Sequence, residues 1–324
     1  MLESVLFGLI LSGVLKIYTD DINKKRHVLD KEKIRVLCKV NINKTPCINV
    51  KEKYIKKIDE FLNTIKNVKG VDLEIFNRNI KELVIEEKKL DANLGGTYNG
   101  SSIKIVLNDE DLDNAIEHEL LHLSSSFVSG KTYYSGFKQS NYLERFMIGK
   151  GLTEGYTSLL ESRIFKNESA YVVEEVFAKS IEKIIGQEKM TNLYFKADLY
   201  SLIKELTKYC LESNVYLLIN NIDYINKIIN SVEKPLEQEI NYVINKSYET
   251  VRILCDTYIN KLKEELVNDL ITKEDFTNRV ENFLNNFTHV YKTKNVQINF
   301  LTHDMLEEMK KEYFSFESKK NKYI

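Results

Sequence analysis

The apolar positions of the chain repeat with two different periods. Over 51–67 (KEKYIKKIDEFLNTIKN), Tyr54, Ile55, Ile58, Phe61, Leu62 and Ile65 recur at helical spacing and predict an amphipathic helix. The period then shortens. Residues 80–87 (IKELVIEE) read as a strand. Further on, Ile103, Ile105 and Leu107 alternate with Ser102, Lys104 and Val106, which turns one face of a second strand toward a core. Between them, Gly95-Gly96-Thr97-Tyr98-Asn99-Gly100 places an Asn-Gly pair between strand patterns, a strong hairpin signal. Helical spacing returns over about 109–125, with Asn108 or Asp109 as the expected cap and acidic residues crowding the first turn, where the helix dipole favours them. The stretch 124–151, rich in Ser, Gly and Tyr, predicts a loop or short hairpins. Another helix should run from Leu152 or Thr153 to about Phe165, and from 170 onward the pattern is almost wholly helical.

These changes place weak boundaries near 75 and 166. They divide the chain into an N-terminal helical segment (1–75) packing on a core (76–165), and a helical C-terminal subdomain (166–324). The apolar run Val5 to Leu15, interrupted only by Ser12, is shorter than the roughly 20 residues of a membrane span. Glu3 rather than a basic residue precedes it, and no small-x-small site follows before Lys16, so it reads as a buried helix rather than a secretion signal. A cytoplasmic location and no stable membrane span are expected.

Composition narrows the class further. A hydrophobic share of 43% excludes a disordered chain, and 2 Pro with 12 Gly exclude a Pro-rich linker, a collagen-like array or a loop-heavy sandwich. Lys plus Arg is 47 against 48 Asp plus Glu, so no overall basic footprint suggests a nucleic acid partner. The run KKNKY near the C-terminus reads as a solvated tail. Cys38, Cys47, Cys210 and Cys255 lack CxxC spacing, which excludes a zinc ribbon and suits free thiols in a reducing compartment.

The chemistry is concentrated in His118-Glu119-Leu120-Leu121-His122, an H-E-x-x-H motif inside the 109–125 helix. Residues four apart share a helical face, so both imidazoles can reach one cation. Zinc accepts neutral imidazole nitrogen, and Glu119, one position along, can take a proton from a water that the cation acidifies. Only five histidines occur in the chain, so the pairing is a specific signal. His27, His289 and His303 lie far from it in sequence and read as ordinary histidines. A catalytic zinc needs a third protein ligand. Glu154, in Gly151-Leu152-Thr153-Glu154-Gly155-Tyr156-Thr157, follows His122 by 32 residues at the start of a predicted helix and is the third-ligand candidate. Glu161 is the rival ligand or an acceptor for an imidazole N–H, and Ser158 could serve there too. An oxyanion formed on an attacked carbonyl needs a donor. Tyr156, Tyr133 and Tyr134 are the candidates, with Tyr156 favoured for its closeness to Glu154.

HELLH followed by GLTEGYTSLLESR resembles the gluzincin branch of zinc metallopeptidases, in which HExxH is joined by a Glu from a later helix. GGTYNG-SSIKIVLND upstream of HELLH, with IGKGLTEGYT downstream, is similar to zincin-like proteins of low-GC Gram-positive bacteria. The likeness covers roughly 80–165. It departs at Ser158, which stands four positions after Glu154 where thermolysin-like enzymes carry an acidic residue.

The expected fold is therefore α+β: a zincin-like core with a small, mostly antiparallel sheet and an HExxH helix, then a mainly helical C-terminal region. The expected function is zinc-dependent hydrolysis of a peptide or protein substrate, with Zn2+ on His118, His122 and Glu154 and with Glu119 as general base. The alternative is a catalytically inactive zincin-like scaffold, such as a regulator or a mobile-element or toxin-associated factor.

Overall fold

The computed structural model describes residues 52–90, 95–108, 115–141, 146–231, 233–293 and 296–320. The first helix, α1 (Glu52–Ile65), buries Tyr54, Ile58, Phe61 and Ile65 on the stripe that the sequence marks, while Ile55 is exposed at its rim. The apolar run at Val5–Leu15 lies outside the described residues.

A short helix, α2 (Glu74–Asn79), precedes three strands: β1 (Val84–Lys88), β2 (Gly96–Asn99) and β3 (Lys104–Asn108). Their order is β1-β3-β2, with β2 antiparallel and β1 parallel to β3. This sheet is mixed, with one antiparallel and one parallel pairing. Hydrophobic alternation fixes which face of a strand is buried, but it does not fix the direction of the neighbouring strand. Ile105 and Leu107 are fully buried, as their alternation requires. The hairpin forms at the expected place, but its connection is longer than a two-residue Asn-Gly turn. Asn99 Oδ1 accepts from the backbone N–H of Ser101 (3.0 Å) and of Ser102 (3.3 Å), and so folds the chain back locally.

Helix α3 (Ile116–Ser124) carries the HExxH motif. Its N-cap is Ala115, which makes no side-chain cap. Asn108 instead ends β3, and Asp109 lies outside the described residues. The Ser-, Gly- and Tyr-rich stretch then folds as an antiparallel meander of β4 (Ser126–Ser129), β5 (Thr132–Ser135), β6 (Lys138–Asn141) and β7 (Met147–Ile148). It leads into α4 (Lys150–Ile164), close to the predicted helix.

The rest is mainly helical: α5 (Val172–Ile185), α6 (Gln187–Phe195), α7 (Leu199–Leu206), α8 (Glu212–Ile229), α9 (Glu237–Val267), α10 (Lys273–Asn285) and α11 (His303–Lys320). One small hairpin, β8 (Val290–Lys292) with β9 (Gln297–Asn299), interrupts them. The architecture is thus α+β with a helical C-terminal region. A single cluster of buried apolar side chains runs from Tyr54 to Tyr313, across the positions of both expected boundaries. Among the described residues no helix is long and apolar enough to cross a membrane.

Candidate metal centre

Helix α3 is buried almost all round: Ile116, Leu120, Leu121 and Leu123 are fully enclosed and hold the imidazoles on a fixed backbone. Its C-terminal end is secured by Asn79 of α2, whose buried amide donates to the carbonyls of Leu123 (2.8 Å) and Ser126 (2.7 Å). These bonds satisfy a helix-end carbonyl that would otherwise lack a partner.

His118 Nε2 and His122 Nε2 lie 3.2 Å apart. Glu154, on the first turn of α4, brings Oε2 within 3.2 Å of His122 Nε2 and 3.5 Å of His118 Nε2. A tetrahedral cation with bonds of about 2.0–2.1 Å spaces its ligand atoms about 3.3–3.4 Å apart. The three atoms therefore already form one face of such a tetrahedron. Residues separated by 32 positions along the chain are brought to one point, as the sequence expectation required. The side chains of His118, His122 and Glu154 are between 10 and 15% exposed, so the clustered atoms are shielded from bulk water but not sealed.

His118 Nδ1 lies 2.9 Å from Glu161 Oε2, so its N–H is donated there while Nε2 stays turned toward His122 and Glu154. Asn167 in turn donates to Glu161 Oε1 (3.1 Å). This is the orienting arrangement that metal-bound imidazoles use. Glu161 is one turn further along than Ser158, and Ser158 Oγ is buried without a hydrogen-bond partner. The acceptor left open by the sequence is Glu161.

Burial opposes a charge on His118, but Glu154 and Glu161 outweigh it and push its pKa up to about 10. Burial would also raise Glu154, yet the two imidazoles outweigh it and hold that carboxyl well below its usual value. Glu119, by contrast, is raised, chiefly by burial, with Glu154 and Glu161 adding repulsion against the attraction of both imidazoles. Its Cγ lies only 3.1 Å from where a Cβ on Gly96 would stand. The absent side chain at Gly96 thus lets β2 pass close beside Glu119. That strand is bonded only to β3, which leaves its other edge without a strand partner among the described residues.

Tyr156 is not brought to the cluster. Its hydroxyl is fully buried within 2.9 Å of both Glu182 Oε2, to which it donates, and Thr191 Oγ1. The physical reason is helical phase: two positions along α4 turn the side chain about 200° from Glu154. Tyr134 stacks on Phe127 with centroids 4.8 Å apart, and Tyr133 lies under the Lys138 ammonium. Among the described residues, a tyrosine that packs directly on the cluster is Tyr171, immediately before α5. Its ring stacks on His118 at 5.7 Å and 23°. The charge of Glu154 and then burial raise its phenol well above the usual value, with Glu119 adding to the shift. Nothing in its sequence spacing marks Tyr171, because its place depends on how α5 packs against α4. His289 and His303 take no part in the cluster, and His27 lies outside the described residues.

No family model, no curated protein and no solved structure matches the chain.

Proposed function

We propose that the chain is a zinc-dependent metallopeptidase of the gluzincin type. The observation that carries this reading is the triangle of His118 Nε2, His122 Nε2 and Glu154 Oε2, with edges of 3.2, 3.2 and 3.5 Å. Two imidazoles and one carboxylate form the donor set of a hydrolytic zinc site that keeps a position open. A cation held there would polarise a carbonyl and acidify a water.

The remaining roles fall to the chain's own residues. Glu119 takes the water's proton during attack and passes it to the leaving amine. A carboxyl raised by burial suits this exchange, because it gains and releases a proton with less difference in energy. Glu161 keeps the His118 imidazole in one tautomer and orientation. Tyr171 takes the electrophilic role first assigned to Tyr156, donating from its hydroxyl toward the oxygen on which charge develops. The substrate would extend between the 97–107 hairpin and the 131–150 segment, with its backbone alongside the free edge of β2.

The test separates binding from chemistry. Zinc content and cleavage of a broad peptide library are measured for the wild type and for Glu119→Gln. Retained zinc with lost cleavage is expected. Unchanged cleavage refutes Glu119 as base, and a zinc-loaded wild type that cleaves nothing supports the non-catalytic scaffold instead.

A further inference from the structure

Helix α4 begins without a capping side chain of its own. Its N-cap is Gly149, in the left-handed region at φ 79°. The first backbone N–H groups of such a helix need acceptors. Here the acceptor comes from a distant helix. Asp223 of α8 receives the N–H of Gly149 on Oδ2 at 2.6 Å and the N–H of Gly151 on Oδ1 at 2.7 Å. Bonds this short to a carboxylate are charge-assisted, and a negative charge at a helix N-terminus also meets the positive end of the dipole. The contact is close because Gly151 has no side chain: a Cβ there would stand 2.6 Å from the Ile222 carbonyl oxygen. Asp223 is half-buried, and burial pushes its carboxyl up to about 6 against the two N–H bonds.

Gly151 is three residues before Glu154. The next turn of α8 holds the neighbouring helix as well, since Asn226 donates to Glu174 Oε1 of α5 at 2.8 Å. One face of α8 therefore grips both the helix that bears Glu154 and Glu161 and the helix that follows Tyr171.

We infer that Asp223 is a positioning residue for the metal centre, fixing the first turn of α4 so that Glu154 meets the two imidazoles. This gives the C-terminal helices a specific task in the site. It rests on the reading of His118, His122 and Glu154 as ligands.

The test uses the full chain, metal-free, titrated with Co2+ alone, and reads affinity and the visible absorption of the bound ion. Asp223→Asn keeps the shape but replaces one acceptor oxygen by a donor that faces a backbone N–H. We expect Co2+ affinity to fall about tenfold or more, with an altered absorption band. Val280→Ala, a cavity variant in α10, controls for general loss of stability: it should lower the melting temperature and leave the band unchanged. Wild-type affinity and band in Asp223→Asn overturn the inference, as does the same loss in Val280→Ala. Hydrogen exchange at Gly149 and Gly151 reads the tether without metal. Faster exchange in Asp223→Asn is expected, and unchanged exchange also overturns the inference. A wild type that takes up no Co2+ but shows the expected exchange difference refutes the ligand reading and the positioning role while leaving the cap itself in place.

Discussion

His118 Nδ1 and Glu161 Oε2 are 2.9 Å apart in a buried contact between α3 and α4, so the rotation of a proposed ligand is set by a carboxylate 43 residues away. Removing that acceptor should loosen the ring without deleting a ligand. Glu161→Ala is expected to weaken zinc binding roughly 10- to 100-fold, measured by competition with a chromophoric chelator. An unchanged affinity would show that packing alone orients His118.

Two tyrosines should separate cleanly. Tyr156→Phe removes a hydroxyl from the Glu182–Thr191 network and should cost about 1 kcal/mol in thermal or urea denaturation, with zinc content and turnover unchanged. Tyr171→Phe keeps the ring that stacks on His118 and should preserve zinc content while lowering kcat. The opposite pattern would restore Tyr156 to the site.

Glu174 makes the stability depend on pH in a defined direction. It is buried between α5 and α8, with Oε1 accepting from Asn226 and Asn230 and Oε2 unpartnered. Burial outweighs those bonds and pushes its carboxyl up to about 7 from 4.5. A folded-state pKa above the unfolded one means that the native state binds the proton more tightly. The stabilisation is fully present below about 4.5 and is lost as pH rises through about 7, with a size on the order of 3 kcal/mol. Glu174→Gln should therefore flatten this part of the stability profile in denaturation at pH 5 and pH 8. A wild-type slope in the variant would assign the effect to another group.

Gly155 lies between Glu154 and Tyr156 and faces the Glu174 backbone so closely that a Cβ would overlap its carbonyl. Because that obstacle is main chain rather than a mobile side chain, α4 and α5 would have to separate. Gly155→Ala should cost about 1–3 kcal/mol and weaken zinc binding along with it, as read by thermal denaturation and chelator competition. A variant as stable as the wild type would mean that the two helices are less tightly joined.

What the sequence reveals follows the range of the forces involved. The His118–His122 spacing is local, so the helical period alone places both imidazoles on one face. The helices α1 and α4 and the β2–β3 hairpin are likewise written in short-range patterns. Glu154 was legible because it stands in a distinctive stretch at a helix start. Tyr171, Asn79 and Asp223 were not legible, since each acts through a partner tens of residues away: a stacked ring, a helix-end carbonyl, a helix N-terminus. The parallel pairing of β1 with β3 escaped for the same reason. Tyr156 misled because nearness in sequence on a helix is not nearness in space.

The proposed function requires a cation joining α3 to α4. The direct measurement is the zinc content of chain purified without a histidine tag, loaded with Zn2+ and dialysed, beside Glu154→Ala and His122→Ala. One zinc per wild-type chain and a marked loss in each variant are expected. A wild-type chain that retains no zinc would contradict the proposed function.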